Sequence, residues 1–172
     1  VDIMASVKSG SFKAREITGF KMDVLELPDD ECYKHIKKLR KGILFDRTKK
    51  LFKWIFDYPW ISNADKRFQD NYPFSSYSET FYYQTVKVYA GESFLGFVLF
   101  SVRDGHLKSL YQFIDSEGIK PVAQYLSNYA AQEKLEMMTI LDPDLAKAVR
   151  KSHHPFVHSK TIEHRIYASF QM

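Results

Sequence analysis

Apolar and polar positions follow their most regular pattern between Phe81 and Ser169, which reads as strand, strand, strand, helix, strand, helix and a closing hairpin. From Phe81 to Tyr89 the residues alternate, with Thr85, Lys87 and Tyr89 on one face and Val86 and Val88 on the other. Phe94 to Val102 is almost continuously apolar, the pattern of a strand buried on both faces. Gly91-Glu92 and Asp104-Gly105 supply hairpin turns, so a third strand runs from His106 to Asp115. Ser116 can cap the helix that follows, Gly118 to Gln132, and Pro121 fits its first turn. Ile119, Val122, Leu126 and Tyr129 keep one side of that helix apolar. Leu135 to Leu141 predicts a short buried strand, parallel to the third, and Asp142-Pro143 opens a helix that runs through Val149. Phe156 to Ser159 and Thr161 to Ser169 predict a hairpin with its turn near Lys160.

The first half is less regular. Residues 1–10 are expected to be a linker, a fragment start or a stray strand, and residues 11–172 a single domain. Phe12, Ala14, Glu16-Ile17 and Phe20 fit a strand that Thr18-Gly19 interrupts. Pro28, Asp29 and Asp30 start a helix, with acids in the turn where the helix dipole favours them. Cys32, Ile36 and Leu39 recur at helical spacing before Gly42 stops the run. A second helix is predicted from an Asp46 N-cap to Tyr58-Pro59, with Leu51, Phe52, Ile55 and Phe56 on its apolar face and Trp54 buried. Ser62 to Ser78 reads as a long polar loop.

Composition changes this picture little. The 172 residues are 45% hydrophobic and 16% aromatic, enough for one domain with a substantial core. The net charge is +4, with both signs interleaved, and the densest basic run extends from Lys34 to Lys53. That run is expected to be a solvated helix face, and nucleic acid is not the expected partner. Cys32 is the single cysteine, which excludes an internal disulfide and argues against a thiolate metal site. His153, His154, His158 and His164 lack a carboxylate or cysteine placed to complete a ligand set, so no metal is expected. With no signal peptide and no apolar run of spanning length visible, the expected setting is the cytoplasm, away from membranes. The chain opens on Val1, read as the start of a fragment, which makes an N-terminal domain of the same protein a candidate partner.

The order of elements from Ser11 to Ser169 resembles the GNAT acyltransferase fold, a mixed, mainly antiparallel α/β sheet flanked by helices. Gly96-Phe97-Val98-Leu99-Phe100 looks like the family's second meander strand, and Asp104-Gly105-His106 like its hairpin turn. Asp46-Arg47-Thr48, then Trp54 and Pro59, resembles a helix of GNAT-like domains in two-domain bacterial proteins. The resemblance implies an acyl-CoA, such as acetyl-CoA, as donor and a small-molecule amine as acceptor. It implies a pantetheine arm held by the strand end Phe113, Ile114 and Asp115, and phosphates received near Gly118, Ile119 and Lys120. Asp115 and Glu117 are candidate bases, and His153 and His154 candidate acids in place of the tyrosine that the last helix lacks.

The phosphate loop, Asp115 to Ala123, has one glycine, no basic lead residue, two acids and Pro121, which lacks an N–H donor. These features predict that acyl-CoA binds weakly or not at all. A non-catalytic scaffold that binds a partner or ligand is therefore the second reading. An aminoacyl-tRNA-dependent peptidyl transferase, which shares the fold and would use the basic run from Lys34 to Lys53, is the third.

Overall fold

The computed structural model describes residues 2–7, 12–39, 48–63, 74 and 76–162. Its elements in chain order are β1 (Asp2–Val7), β2 (Phe20–Leu25), α1 (Asp30–Lys38), α2 (Lys49–Asp57), β3 (Ile61–Asn63), β4 (Ser76–Ser78) and β5 (Phe81–Ala90). There follow β6 (Ser93–Arg103), β7 (His106–Ile114), a 3-10 turn (Ser116–Gly118), α3 (Ile119–Gln132), β8 (Met137–Ile140), α4 (Pro143–Lys151) and β9 (Phe156–Thr161). Seven strands form one sheet in the order β2-β5-β6-β7-β8-β1-β9. Every neighbouring pair is antiparallel except β7 and β8. The chain is thus α/β with a mixed, mainly antiparallel sheet, and among the described residues no helix is long and apolar enough to cross a membrane.

The meander β5-β6-β7 follows the predicted strands. Asp104 and Gly105 both have positive φ, 45° and 77°, as a two-residue type I′ hairpin requires. β6 is buried from Leu95 to Val102, since both faces of the sheet are covered there. On one face Val86, Val88, Val98, Phe100 and Leu107 pack against Val122 and Leu126 of α3 and Leu145 and Val149 of α4. On the other, Phe97 and Leu99 pack against Cys32 and Ile36 of α1 and Phe52 of α2, with Tyr111 and Phe113 at the margin.

Several expectations are corrected. The segment from Phe12 to Ile17 is irregular, and the strand begins after the Thr18-Gly19 turn as β2. Residues 1–10, read as a linker or stray strand, contain β1, which pairs with β8 on one side and β9 on the other. Thr48 caps α2, accepting from the Leu51 N–H at 3.3 Å, while Asp46 and Gly42 lie outside the described residues. The ends of the predicted loop from Ser62 to Ser78 pair in parallel as β3 and β4. No turn interrupts β9 at Lys160, because that residue pairs directly with Ile3 of β1. The second hairpin strand falls, beyond Ile162, outside the described residues.

Trp54 is also a correction, being 51% exposed against Tyr58. At about 100° per residue, a side chain two positions from both Phe52 and Phe56 points away from the face that those two share. Phe97, in contrast, is fully buried. In chemical denaturation, Phe97→Ala is expected to cost about 3–5 kcal/mol. Trp54→Ala is expected to cost less than about 1 kcal/mol. Equal losses would contradict these positions.

Candidate functional site

The two parallel strands pair only briefly. His106, Leu107 and Lys108 of β7 register with Met137, Met138 and Thr139 of β8, and then the strands part. Ser109 Oγ accepts from the Leu141 N–H at 3.0 Å where they separate. At the same point β7 bulges: Leu99 registers with Tyr111 and Phe100 with Ser109, so Leu110 has a register partner on neither β6 nor β8. Bulges leave backbone groups unpaired and often border active sites. The register with β8 ends at Lys108, and Gln112, Phe113 and Ile114 of β7 pair with β6 alone.

The end of β7 is tied down by its backbone. Asp115 N–H donates to the Leu95 carbonyl at 2.8 Å, and the Asp115 carbonyl accepts from Gly118 N–H at 2.9 Å. A Cβ on Gly118 would lie 2.8 Å from Ile114 Cγ2 and 3.1 Å from Val88 Cγ1. Glycine is therefore required here for packing against the sheet, and it opens no cradle towards solvent. No side chain caps the 3-10 turn or the start of α3.

A cleft of about 680 Å³ runs between α3 and α4, which begin just beyond β7 and β8. Crevices at the carboxyl ends of parallel strands are the usual ligand positions in α/β sheets. This cleft is lined by Ser116, Ile119, Lys120 and Gln124 from the α3 side and by Asp144, Lys147 and Lys151, among others, from α4. Three lysines thus face one carboxylate, a field suited to an anion.

On the opposite face, α1 is fixed by a buried cation. Lys87 of β5, with a side chain only 7% exposed, bonds Asp29 Oδ2 at 2.8 Å and the carboxylate of Glu31. Asp29 Oδ1 meanwhile caps α1 by accepting from Cys32 N–H at 3.0 Å, and Tyr89 donates to Glu31 at 2.7 Å. Burial favours the neutral amine of Lys87, but its bonds to Asp29 and Glu31 outweigh that and hold its pKa above the ordinary lysine value. Burial likewise pulls Asp29 up, yet Lys87 and the Cys32 N–H bring it below the carboxylate norm, and bonds to Lys87 and Tyr89 lower Glu31. Burial pushes the Cys32 thiol up to about 12, which removes it as a nucleophile.

This anchorage sets His35 over the end of β7. His35 is 5% exposed, and its ring meets Phe94 edge-on with centroids 5.0 Å apart. Its Nε2 has no hydrogen-bond partner among the described residues, and Asp115 Oδ1 lies 3.9 Å away. Burial lowers the His35 pKa, with Asp115 acting in the opposite sense.

Of the residues singled out in the sequence, Ile119 and Lys120 line the cleft, while Asp115 does not line it and lies 3.9 Å from His35. Phe113 packs on Phe97 with centroids 5.5 Å apart, and Ile114 joins the α3-side core, so only their backbone borders the parted strands. Glu117 is exposed and is not part of the cleft lining. His153 stacks on Phe12 with centroids 4.6 Å apart and its carbonyl accepts from Gln124, while His154 packs on Phe156. Neither histidine lines the cleft. Among the described residues no group of three or more His, Cys, Asp or Glu side chains could hold a metal ion. Sequence reasoning missed Lys147, Lys151 and His35. The lysines carry a signal in their one-turn spacing on α4, and His35 in its place on the Cys32-Ile36 stripe.

Comparison with protein-family models, with curated proteins and with solved structures finds no match to this chain.

Replacing Lys87 by Met removes the cation and leaves Asp29 and Glu31 facing each other. Because both acids are about half exposed, the expected cost is about 2 kcal/mol, below that of breaking a fully buried pair. The wild type should also lose stability on acidification. Carboxylates with lowered folded pKa contribute stability above their ordinary values, 3.8 for Asp29 and 4.5 for Glu31, and lose it as pH falls through the folded values. Denaturation curves between neutral pH and about pH 3 should show a smaller acid loss in Lys87→Met than in the wild type.

Proposed function

We propose that this chain is a GNAT-like domain related to acyl-CoA-dependent N-acyltransferases. The observation that carries the reading is the parting of β7 from β8 beside a cleft lined by Lys120, Lys147 and Lys151. An acyl-CoA fits these parts by chemistry. The edge of β7 from Gln112 to Ile114, beyond its register with β8, offers backbone hydrogen bonds to the amide groups of a pantetheine arm. The uncapped turn before α3 and the three lysines suit the phosphates, since helix N-termini and ammonium groups both favour anions. Pro121 lies in the first turn of α3, where the helix needs no N–H but a ligand loses one donor.

When bound, the donor would supply a thioester carbonyl open to attack by an amine. The Leu110 bulge is a candidate place for backbone N–H groups to stabilise charge on that carbonyl oxygen. Asp115, a base candidate of the sequence, is five residues from that bulge, about 16 Å along a strand, beside the turn that suits the phosphates, and is out of reach of an amine attacking there.

Calorimetric titration with acetyl-CoA tests the reading. The expected affinity is weak, with Kd about 0.1 mM, between the anchors of about −4 and −8 kcal/mol for 1 mM and 1 μM. The triple variant Lys120→Gln, Lys147→Gln, Lys151→Gln should weaken it at least tenfold, about 1.4 kcal/mol. No heat at millimolar acetyl-CoA would reject the reading in favour of a non-catalytic scaffold.

One observation favours the aminoacyl-tRNA-dependent reading instead. A cleft of about 350 Å³ between α1 and α2 is lined by Lys34, Lys37, Lys49 and Lys50, with Tyr33 beside them and Asp30 bonded to Lys49. If this surface meets RNA, affinity for a tRNA should fall steeply between about 50 and 200 mM salt. Binding that is absent, or insensitive to salt, removes this reading.

A further inference from the structure

β2 ends the sheet, and among the described residues no strand pairs with its outer edge. The extended backbone of Phe20–Leu25 therefore turns alternate N–H and C=O groups away from β5. Proteins commonly blunt such an edge with a proline or an unpaired lysine. β2 holds no proline, and its lysine is neutralised, since Lys21 Nζ bonds Asp23 at 3.0 Å. The two faces of the strand also differ. Phe20 and Met22 pack on the α3 side of the sheet, and Val24, which shares their face by alternation, is 46% exposed. Lys21 and Asp23 lie on the α1 side, where the Lys21 ammonium stands 5.6 Å from the centre of the Tyr89 ring. Their side chains are 68% and 38% exposed.

We propose that the chain dimerises through β2, which pairs antiparallel with β2 of a second copy and carries the sheet across both. The order of side chains on β2 is what points to a second copy as the partner. A two-fold axis normal to the sheet sets the two strands side by side with like faces on the same side. Each register that this axis allows is centred on a residue that opposes its own copy. Centred on Lys21, the register sets two ammonium groups against each other, and centred on Asp23 it sets two carboxylates. Centred nearer either end, it overlaps too little of β2. Centred on Met22, it sets Lys21 opposite Asp23 and Asp23 opposite Lys21 on the α1 side. On the α3 side, Phe20 then opposes Val24 and Met22 opposes Met22. Every charge meets its opposite and every apolar side chain meets another, which is the pairing that stabilises neighbouring strands. The exposed Val24 gains a cover of Phe20 from the copy. The interface lies apart from the α3–α4 cleft and is independent of the acyltransferase reading. Six residues a side are fewer than the roughly 20–30 of a standard interface, so the dimer is weak.

Sedimentation equilibrium of the full chain between about 10 μM and 1 mM tests the inference, with an expected dimer Kd of about 0.1 mM. A chain that is monomeric at about 1 mM overturns it. Lys21→Asp sets acid against acid in both charged pairs, and Asp23→Lys sets base against base. Each should weaken the dimer at least about tenfold, or 1.4 kcal/mol. The double variant Lys21→Asp, Asp23→Lys exchanges the charges and should regain most of the wild-type affinity. An equimolar mixture of the two single variants should associate more tightly than either alone, because each acid of one then opposes a base of the other. Native mass spectrometry identifies the mixed dimer. Asp23→Lys also brings an ammonium group into register with Lys87, so a change at an exposed position accompanies it. Val24→Glu sets a carboxylate opposite Phe20 and should weaken the dimer at least about tenfold, with the denaturation curve of the monomer little changed. A Val24→Glu dimer as tight as the wild type overturns the β2 interface. A mixture no tighter than its components, or a double variant no tighter than the single ones, overturns the Met22-centred register and with it the proposed pairing.

Discussion

A single buried ammonium group decides where the first helix lies. Lys87 sits in the middle of β5 on the face that α1 covers, and a cation there cannot remain unpaired. Its partners come from the first turn of α1, and Asp29 divides its two oxygens between the helix cap and the lysine. The start of the helix and its docking on the sheet are therefore one event. Neither contact places α1 alone, because a cap fixes only where a helix begins and an ion pair only how close it lies. Together they fix its position, and one turn further along His35 comes to rest beside Phe94 and Asp115.

The sheet supplies a second constraint, carried by the backbone. β6 and β7 each slip by one residue, near Leu95 and Leu110, and bulges of this kind bend and twist a strand. Gly96 lies at the first slip with φ of 127°, and a Cβ there would stand 2.0 Å from the Phe113 carbonyl oxygen. No side chain can be accommodated at that approach. The close approach that it allows lies beside the tie of the Asp115 N–H to the Leu95 carbonyl at the end of β7. Gly96 thus holds the ends of β6 and β7 close without lining the cleft.

The central run from β5 to α4 was legible because every local signal agreed with the others. The alternation on β5, the continuous apolar run of β6, the Asp104-Gly105 turn and the Asp142 cap each specify one element with residues close in sequence. The edges were not legible. β2 is an edge strand with exposed Lys21 and Val24, so its pattern does not alternate cleanly. β1 pairs with residues more than 130 positions away, and no local feature of its six residues announces a slot between β8 and β9. The site divides the same way. Lys120 stands beside a recognisable helix start, whereas Lys147 and Lys151 resemble any solvated face until α3 is packed opposite them. His35 was hidden by its neighbours, since Cys32 and Ile36 make its position look like part of an apolar stripe.

The acids at the end of β7 carry a different meaning in three dimensions from the one they have in sequence. Read along the chain, Asp115 and Glu117 bring negative charge to a loop expected to receive phosphates. In the fold, Asp115 is drawn towards α1 on one face of the sheet, while the lysines of α3 and α4 gather on the other. Glu117, exposed in the turn, contributes to neither group. The end of β7 therefore separates an anionic point from a cationic cleft. A phosphate-bearing donor is drawn to the lysine side. The weak affinity predicted from the loop and the reaction proposed for the site are then compatible. Glycines that would bring phosphate close to the backbone are missing, and charge on α4, far from the loop in sequence, takes over part of their work.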